Sequence, residues 1–284
     1  MSPKRRQPAR AAERSPGTER PDSLAMSRAR FGYLAPAPPR AIAHRGGSAE
    51  WTENTMGAFD GAVQLGFDYL ELDVRTTRDG VLVVFHDDSL QRLSGRSESV
   101  EDCDFVELAT FRVGETKEPI ARLDDVLSTF PATKIHLDVK DASSVDGLCE
   151  LLLKRDEPER FCVACFAPRP LARLRAQLGD GYLTNLSVPE IGRLRAAAAG
   201  IPCGTIPGGV ASVPPRNGRF RVTTEKFVNA AHQRGIEVHV WTIDDPEEMS
   251  ELLDLGVDAI MTDRPSVLKD VLIARGEWSS GRGA

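Results

Sequence analysis

The chain has 284 residues, 41% of them hydrophobic and 27% charged, and a net charge of −6 at pH 7. That is enough for one large α/β barrel or two ordinary domains, and no apolar run approaches the ~20 residues of a membrane span. Residues 1–40 hold nine Lys/Arg against three Asp/Glu and the remainder 27 against 39, so the body is acidic. This argues against nucleic acid as a partner and leaves no basis for stable membrane insertion. A phosphate substrate stays compatible, because a bound metal and a few local cations reverse the sign inside a cleft.

Residues 1–30 are rich in Arg, Pro, Ala and Ser and poor in large apolar side chains. They are expected to form a disordered basic tail, because they cannot bury enough surface to offset ordering entropy. The start Lys4-Arg5-Arg6 is not followed by an apolar segment before Ser27, so a cytoplasmic protein is expected rather than a secreted one. Contact of the tail with an anionic membrane surface is the alternative.

From residue 31 onward, apolar runs alternate with helix-like segments, which predicts βα units around a parallel sheet. Candidate strands are Ala41–His44, Tyr69–Val74, Leu82–His86, Ile135–Val139, Phe161–Phe166, Tyr182–Leu186, Val238–Ile243 and Ala259–Thr262. Candidate helices are Thr55–Leu65, Leu123–Phe130, Val145–Lys154, Arg169–Leu178, Pro189–Ala199, Thr224–Arg234 and Pro246–Leu255. Five of these stop at a glycine, the residue that most easily takes the left-handed conformation past a helix end. Eight strands in one domain, residues 31–284, fit a (β/α)8 TIM-type barrel. An open doubly wound sheet would want a G-x-G-x-x-G loop after its first strand, and His44-Arg45-Gly46-Gly47-Ser48 does not supply it.

Residues 89–122 are too long and polar for an ordinary βα loop, and are read as a short insertion after the third strand, over the barrel mouth. The alternative is a plain surface loop. Residues 201–222, broken by five Pro and Gly positions from Pro202 to Gly209 and by Pro214-Pro215, are read as a loop after strand six that lines the pocket. Cys162 and Cys165 form a C-x-x-C spacing on a strand, where period-2 geometry sends them to opposite faces, so buried, inert thiols are expected.

Residues capable of acid–base or metal chemistry recur at strand ends. Glu71 and Asp73 lie at i, i+2 on one face. Two buried carboxylates need a counter-charge, and a hard divalent cation accepts oxygen ligands at this spacing. Asp138 has the same address on strand four. The competing arrangement pairs these acids with Arg45, Lys140 or Arg75. His44 and His86 each end a strand, and two imidazoles flanking one phosphorus can serve as base and acid. Arg45 and Lys140 are candidate phosphate cations, the first a planar fork and the second a point charge. Trp241 is a candidate wall for a substrate's carbon chain, or a core residue. Glu53, before the helix cap, either stabilises the helix start or holds the His44 loop by hydrogen bonds, or else supports the metal ligands from behind. His136 and His239 share parity with Asp138 and Trp241 and can line the barrel, while His232 complements a helix C-terminus.

These residues together resemble the glycerophosphodiester phosphodiesterase (GDPD) family over about residues 40–270. The resemblance is carried by His44-Arg45-Gly46, Glu53-Asn54-Thr55, Glu71-x-Asp73, Asp79-Gly80, His86-Asp87, Asp138-x-Lys140, Gly235, Val240-Trp241-Thr242 and Thr262-Asp263-Arg264-Pro265. It implies a TIM-type barrel that hydrolyses glycerophosphodiesters to sn-glycerol 3-phosphate and an alcohol such as choline or ethanolamine. By matching motifs it implies His44 and His86 as the acid–base pair, and Glu71, Asp73 and Asp138 as ligands of one divalent ion, Ca2+ or Mg2+. Arg45 and Lys140 become the phosphate contacts. The chain departs from the family pattern at Asp138, where glutamate is usual, and at Thr52, where proline is frequent. Two alternatives are a lysophospholipase D- or sphingomyelinase D-like enzyme on the same barrel, and a barrel that binds a phosphorylated ligand without turnover.

Overall fold

Short apolar runs separated by amphipathic helices wind into a ring of parallel strands, as seen in a computed structural model that describes residues 23–278. The strands in chain order are β1 (Arg40–Ala43), β2 (Tyr69–Thr76), β3 (Leu82–Val84), β4 (Lys134–Val139), β5 (Phe161–Ala164) and β6 (Leu183–Thr184). There follow β7 (Val210–Val213), the hairpin β8 (Arg216–Asn217) with β9 (Phe220–Arg221), β10 (Glu237–Val240) and β11 (Ala259–Thr262). Neighbours run β6-β5-β4-β2-β1-β11-β10-β7, all parallel. The seam between β6 and β7 is bridged by the parallel pair Asn185–Val210 and by Leu186 N donating to Val210 O at 2.8 Å. The result is a (β/α)8 barrel with helices on its outer face.

Two strand assignments need correction. The run Leu82–His86 is not a stave: its strand, β3, pairs antiparallel with the end of β2, Val74 opposite Val84 and Thr76 opposite Leu82. Only residues 77–81 join the two, and a parallel crossover needs a dozen or more. The turn closes at Gly80 (φ +83°). The eighth stave is instead Val210–Val213, inside the stretch read as a loop. Its four residues are all buried, but Ala211 and Ser212 are small and prolines and glycines flank it, so it carries little strand signal.

Residues 23–30, assigned to the disordered tail, form a helix, Ser23–Arg30. Composition missed it because what holds it is remote in sequence. Leu24 is buried, and Arg28 bonds Glu237 at 2.6 Å and Asp258 at 2.7 Å, both fully or almost fully buried at the barrel base. Arg40 reaches the same Glu237 at 2.5 Å. Residues 1–22 of the tail lie outside the described residues.

Tyr33, Leu34, Ile42, Tyr69, Cys162, Leu183, Val210, Ala259 and Met261 fill the barrel's lower interior. A larger layer packs between staves and helices, Cys165 within it, so the two thiols of the C-x-x-C do face opposite ways, and both are free and buried. The insertion has a small core of its own, Leu90, Val100, Leu108, Val113 and Ile120 packed on Val83 and Phe85 of the β3 segment. No helix among the described residues is long and apolar enough to cross a membrane.

Candidate active site

The C-terminal ends of the staves meet at a cleft of ≈ 590 Å³ lined by His44, Arg45, Glu71, His86, Asp138, Lys140 and Trp241, with His136, Phe166, Ser212 and Met261 completing it. All nine residues singled out in the sequence therefore converge on one mouth, seven as lining and Asp73 and Glu53 just behind it.

The loop after β1 makes one tight turn, His44–Gly46. Arg45 sits at φ 53°, ψ 26°, a left-handed conformation uncommon for residues with a side chain. That turn aims its backbone N–H at Glu71 Oε2, 2.9 Å away. Gly46 also has positive φ (+86°), and a Cβ there would lie 2.7 Å from Ala58 Cβ, so the turn can press onto the following helix only with glycine.

Glu71, Asp73 and Asp138 each place an oxygen within 4.8 Å of the others, and all three are buried. Lys140 Nζ lies 2.8 Å from Asp73 and 2.6 Å from Asp138, and Arg45 Nε 3.2 Å from Asp73 Oδ2. Asn54 adds a 2.7 Å bond from Nδ2 to Asp73 Oδ2. Burial alone would raise Asp73, but Lys140 and Arg45 outweigh it and hold its pKa low. Among the described residues Glu71 has no lysine or arginine ion-pair partner, only His44 Nε2 at 3.8 Å, and burial together with the Asp73 charge pushes it up to about 7. Burial likewise raises Asp138, against the pull of Lys140. Three hard oxygen donors, two of them raised by burial, are a donor set suited to a divalent cation.

Both histidines are oriented from behind by a carboxylate. Asp263 Oδ1 accepts from His44 Nδ1 at 2.7 Å, and Asp87 Oδ1 from His86 Nδ1 at 2.6 Å. This arrangement leaves each Nε2 for the cleft. Burial lowers His44, but Glu71 and the Asp263 bond prevail and raise it above 6.5. Asp87 is drawn down to about 2, first by Arg92 and then by His86. Arg92, from the insertion, also grips Glu53 with two bonds of 2.7 and 2.8 Å, and Glu53 Oε1 accepts from Arg45 at 2.9 Å. Glu53 is thus a clamp between two arginines rather than a helix-start charge.

Four contributors were not given roles by the sequence reading: Asp263, Asp87, Asn54 and Arg92. Asp87 had a signal, since it follows His86 directly, whereas Asp263 stood only within the Thr262-Asp263-Arg264-Pro265 motif. Asn54 stood only within the Glu53-Asn54-Thr55 motif. Arg92 had no signal, because it reaches the site from within the insertion. His136 lines the cleft, whereas His239 turns to Glu237 (Nε2 to Oε2, 3.2 Å) and His232 to Asp258 (2.8 Å) at the base.

A model of the glycerophosphoryl diester phosphodiesterase family matches residues 44–267, which spans every residue of this cleft. The chain belongs to that family. Within it, the chain is 36% identical over 252 residues to the probable glycerophosphodiester phosphodiesterase 2 of Mycobacterium tuberculosis, covering 84% of this chain and 92% of that protein. It is 27% identical over 276 residues to a lysophospholipase D of Rattus norvegicus, covering 82% of this chain and 86% of that protein. A phosphodiesterase of Oleispira antarctica, solved in complex with the product sn-glycerol-3-phosphate, shares the fold with a TM-score of 0.69 at 22% identity, over 83% of this chain and 97% of that one.

Proposed function

We propose that the protein is a hydrolase that cleaves glycerophosphodiesters to sn-glycerol 3-phosphate and a free alcohol. The observation that carries this reading is the convergence of two carboxylate-backed imidazoles, two phosphate-sized cations and a buried acidic trio on one cleft, within a family match spanning them all.

His44 and His86 divide the proton transfers: one accepts the proton of the nucleophile, the other protonates the departing alkoxide. Asp263 and Asp87 fix the imidazole orientation and stabilise each ring when it is charged. Arg45 and Lys140 stabilise charge on the phosphoryl oxygens. Trp241 packs against the carbon skeleton of the substrate. Glu71, Asp73 and Asp138 would hold one divalent ion, Mg2+ or Ca2+, which supplies Lewis-acid polarisation of a phosphoryl oxygen.

The match to a lysophospholipase D favours a second reading, in which the cleaved diester still carries an acyl chain. The insertion argues for deacylated substrates, because its apolar side chains, the exposed Val106 apart, are turned into its own core. The deciding assay measures glycerol 3-phosphate released from glycerophosphocholine and glycerophosphoethanolamine, with lysophosphatidylcholine in parallel. EDTA should abolish release, and Mg2+ or Ca2+ should restore it. Release of choline from lysophosphatidylcholine alone would shift the assignment to the second reading.

A further inference from the structure

The hairpin β8–β9 leaves the barrel at the rim of the mouth. It follows the C-terminal end of β7, the stave that brings Ser212 to the cleft. Its base is pinned, because Val222 N and Thr223 N both donate to Pro215 O, at 2.9 and 3.3 Å, and both residues are buried. Beyond that base, residues 216–221 are all exposed. Asn217 pairs with Phe220, so the turn has two residues, Gly218 at φ +57° and Arg219 at the tip. Positive φ at the first turn position is where a hairpin calls for glycine. Phe220, next to the tip, is 70% exposed. One exposed ring signals little by itself; the charges around it decide its meaning.

The register sets Arg216 directly opposite Arg221. Like charges so placed repel and weaken a hairpin, and an anion lying against both would remove the penalty. Arg221 meets one carboxylate, Glu251, only at 3.8 Å, while among the described residues Arg216 and Arg219 have no ion-pair partner. Arg221 also lines a surface hollow of ≈ 560 Å³ with Arg195 and Lys226, and neither of these pairs with an acid among the described residues. Elsewhere surface arginines are matched: Arg78 with Asp104, Arg155 with Asp124, Arg173 with Asp146 and Arg275 with Asp254. Even counting Glu251 and Glu225, which precedes Lys226, the hairpin and the hollow hold a surplus of positive charge on a body that is acidic overall.

Cations around one projecting aromatic ring fit an anionic lipid surface. The charged heads stay with the lipid phosphates while the ring enters the acyl boundary. Six exposed hairpin residues are too few for a stable protein interface, which takes about 20–30 on each side. We propose that the β8–β9 hairpin is a docking finger that adsorbs the protein to an anionic membrane surface. Phe220 is its wedge, Arg216, Arg219 and Arg221 meet the head groups, and Arg195 and Lys226 extend the basic ground beside them. Adsorption of this kind is reversible and crosses no bilayer, and it holds the mouth of the barrel close to lipid. The proposal goes beyond the glycerophosphodiesterase reading and does not depend on which diester is cleaved.

The test sediments the full chain with vesicles of phosphatidylcholine, either alone or mixed with an equal part of phosphatidylglycerol. The wild-type protein should bind the mixed vesicles, less so as salt rises, and should stay in solution with the neutral ones. Arg216→Ser and Arg219→Ser should each lower the partition coefficient by roughly fivefold, and Phe220→Ser by roughly tenfold. Phe220→Trp should bind at least as well as wild type, since indole favours the interface. Each variant should keep the wild-type Tm, because no buried group is touched. Binding that survives the arginine changes, as it would if residues 1–22 carried it, overturns the finger. So does binding unchanged in Phe220→Ser, or equal binding to both kinds of vesicle. A protein that ignores anionic vesicles also overturns it, and retention of that protein on immobilised polyglutamate through the same arginines would make an acidic protein segment the partner instead.

Discussion

In the proposed mechanism His44 and His86 depend on the carboxylates that stand behind them. Replacing either with alanine should lower kcat by about 10²–10⁴-fold, with KM moving far less. Asp263→Asn keeps the shape but offers His44 Nδ1 an amide that permits the wrong tautomer, and should also cost about 10²–10⁴-fold in kcat. Both outcomes are read from steady-state kinetics on glycerophosphocholine. The acidic trio has a test that does not depend on turnover. A divalent ion at about 100 times its dissociation constant should raise unfolding stability by ~2.7 kcal/mol. The corresponding rise in Tm should vanish in Asp73→Asn. A protein whose Tm ignores Mg2+ and Ca2+ would remove the trio from metal binding. Glu71 and Asp73 were readable because the period-2 rule puts them on one face, while the register that sets Asp138 opposite Asp73 is a property of the fold. Asp263 was visible only as part of a motif: the chain gives no local sign that a residue more than 200 positions on will meet His44.

Among the elements, the insertion matters beyond covering the mouth. Arg92 holds Glu53 and Asp87 with paired bonds, and those carboxylates set Arg45 and His86. Arg92→Met should therefore lower kcat by ~10²-fold through misplacement of both groups. Arg92→Lys should recover only part, since a point charge cannot reproduce two forks. Full activity in Arg92→Met would show that the insertion plays no part in placing the site. Helices with clear caps were legible, for instance the one opened by Thr55, whose side chain accepts from Ala58 N. The strand Val210–Val213 was not. A stave of small residues is specified by its partners Glu237–Val240 and the bridge at Asn185, which no short window of sequence contains.

At the scale of the whole molecule, the barrel base is an ionic lock. Burial raises Glu237, but His239, Arg40 and Arg28 outweigh it and bring it down to about 2 from 4.5. The folded state then binds fewer protons than the unfolded one between these values. Its contribution is complete above pH 4.5 and is lost as pH falls through about 2. Denaturant midpoints measured between pH 5 and pH 2.5 should fall more steeply for the wild-type protein than for Glu237→Gln. Removing residues 1–22 should leave Tm unchanged. Removing residues 1–30 strips Arg28 from two buried carboxylates and should cost about 1–3 kcal/mol. The barrel class was legible from the alternation of strands and helices, but the count of eight came out right only because the false stave Leu82–His86 stood in for the missed Val210–Val213. The lock was not legible, because Arg28 looked like one more cation in a basic tail.

That lock, with Tyr33, Leu34 and Tyr69 stacked above it, has a kinetic corollary. Among the described residues these buried side chains close the ring from below, so reactant, water and both cleavage fragments should share the doorway at the mouth. Departure must take turns: whichever fragment lingers bars the next arrival. Glycerol 3-phosphate, the one that retains the anchoring anion, should behave as a competitive inhibitor, and the freed alcohol should not.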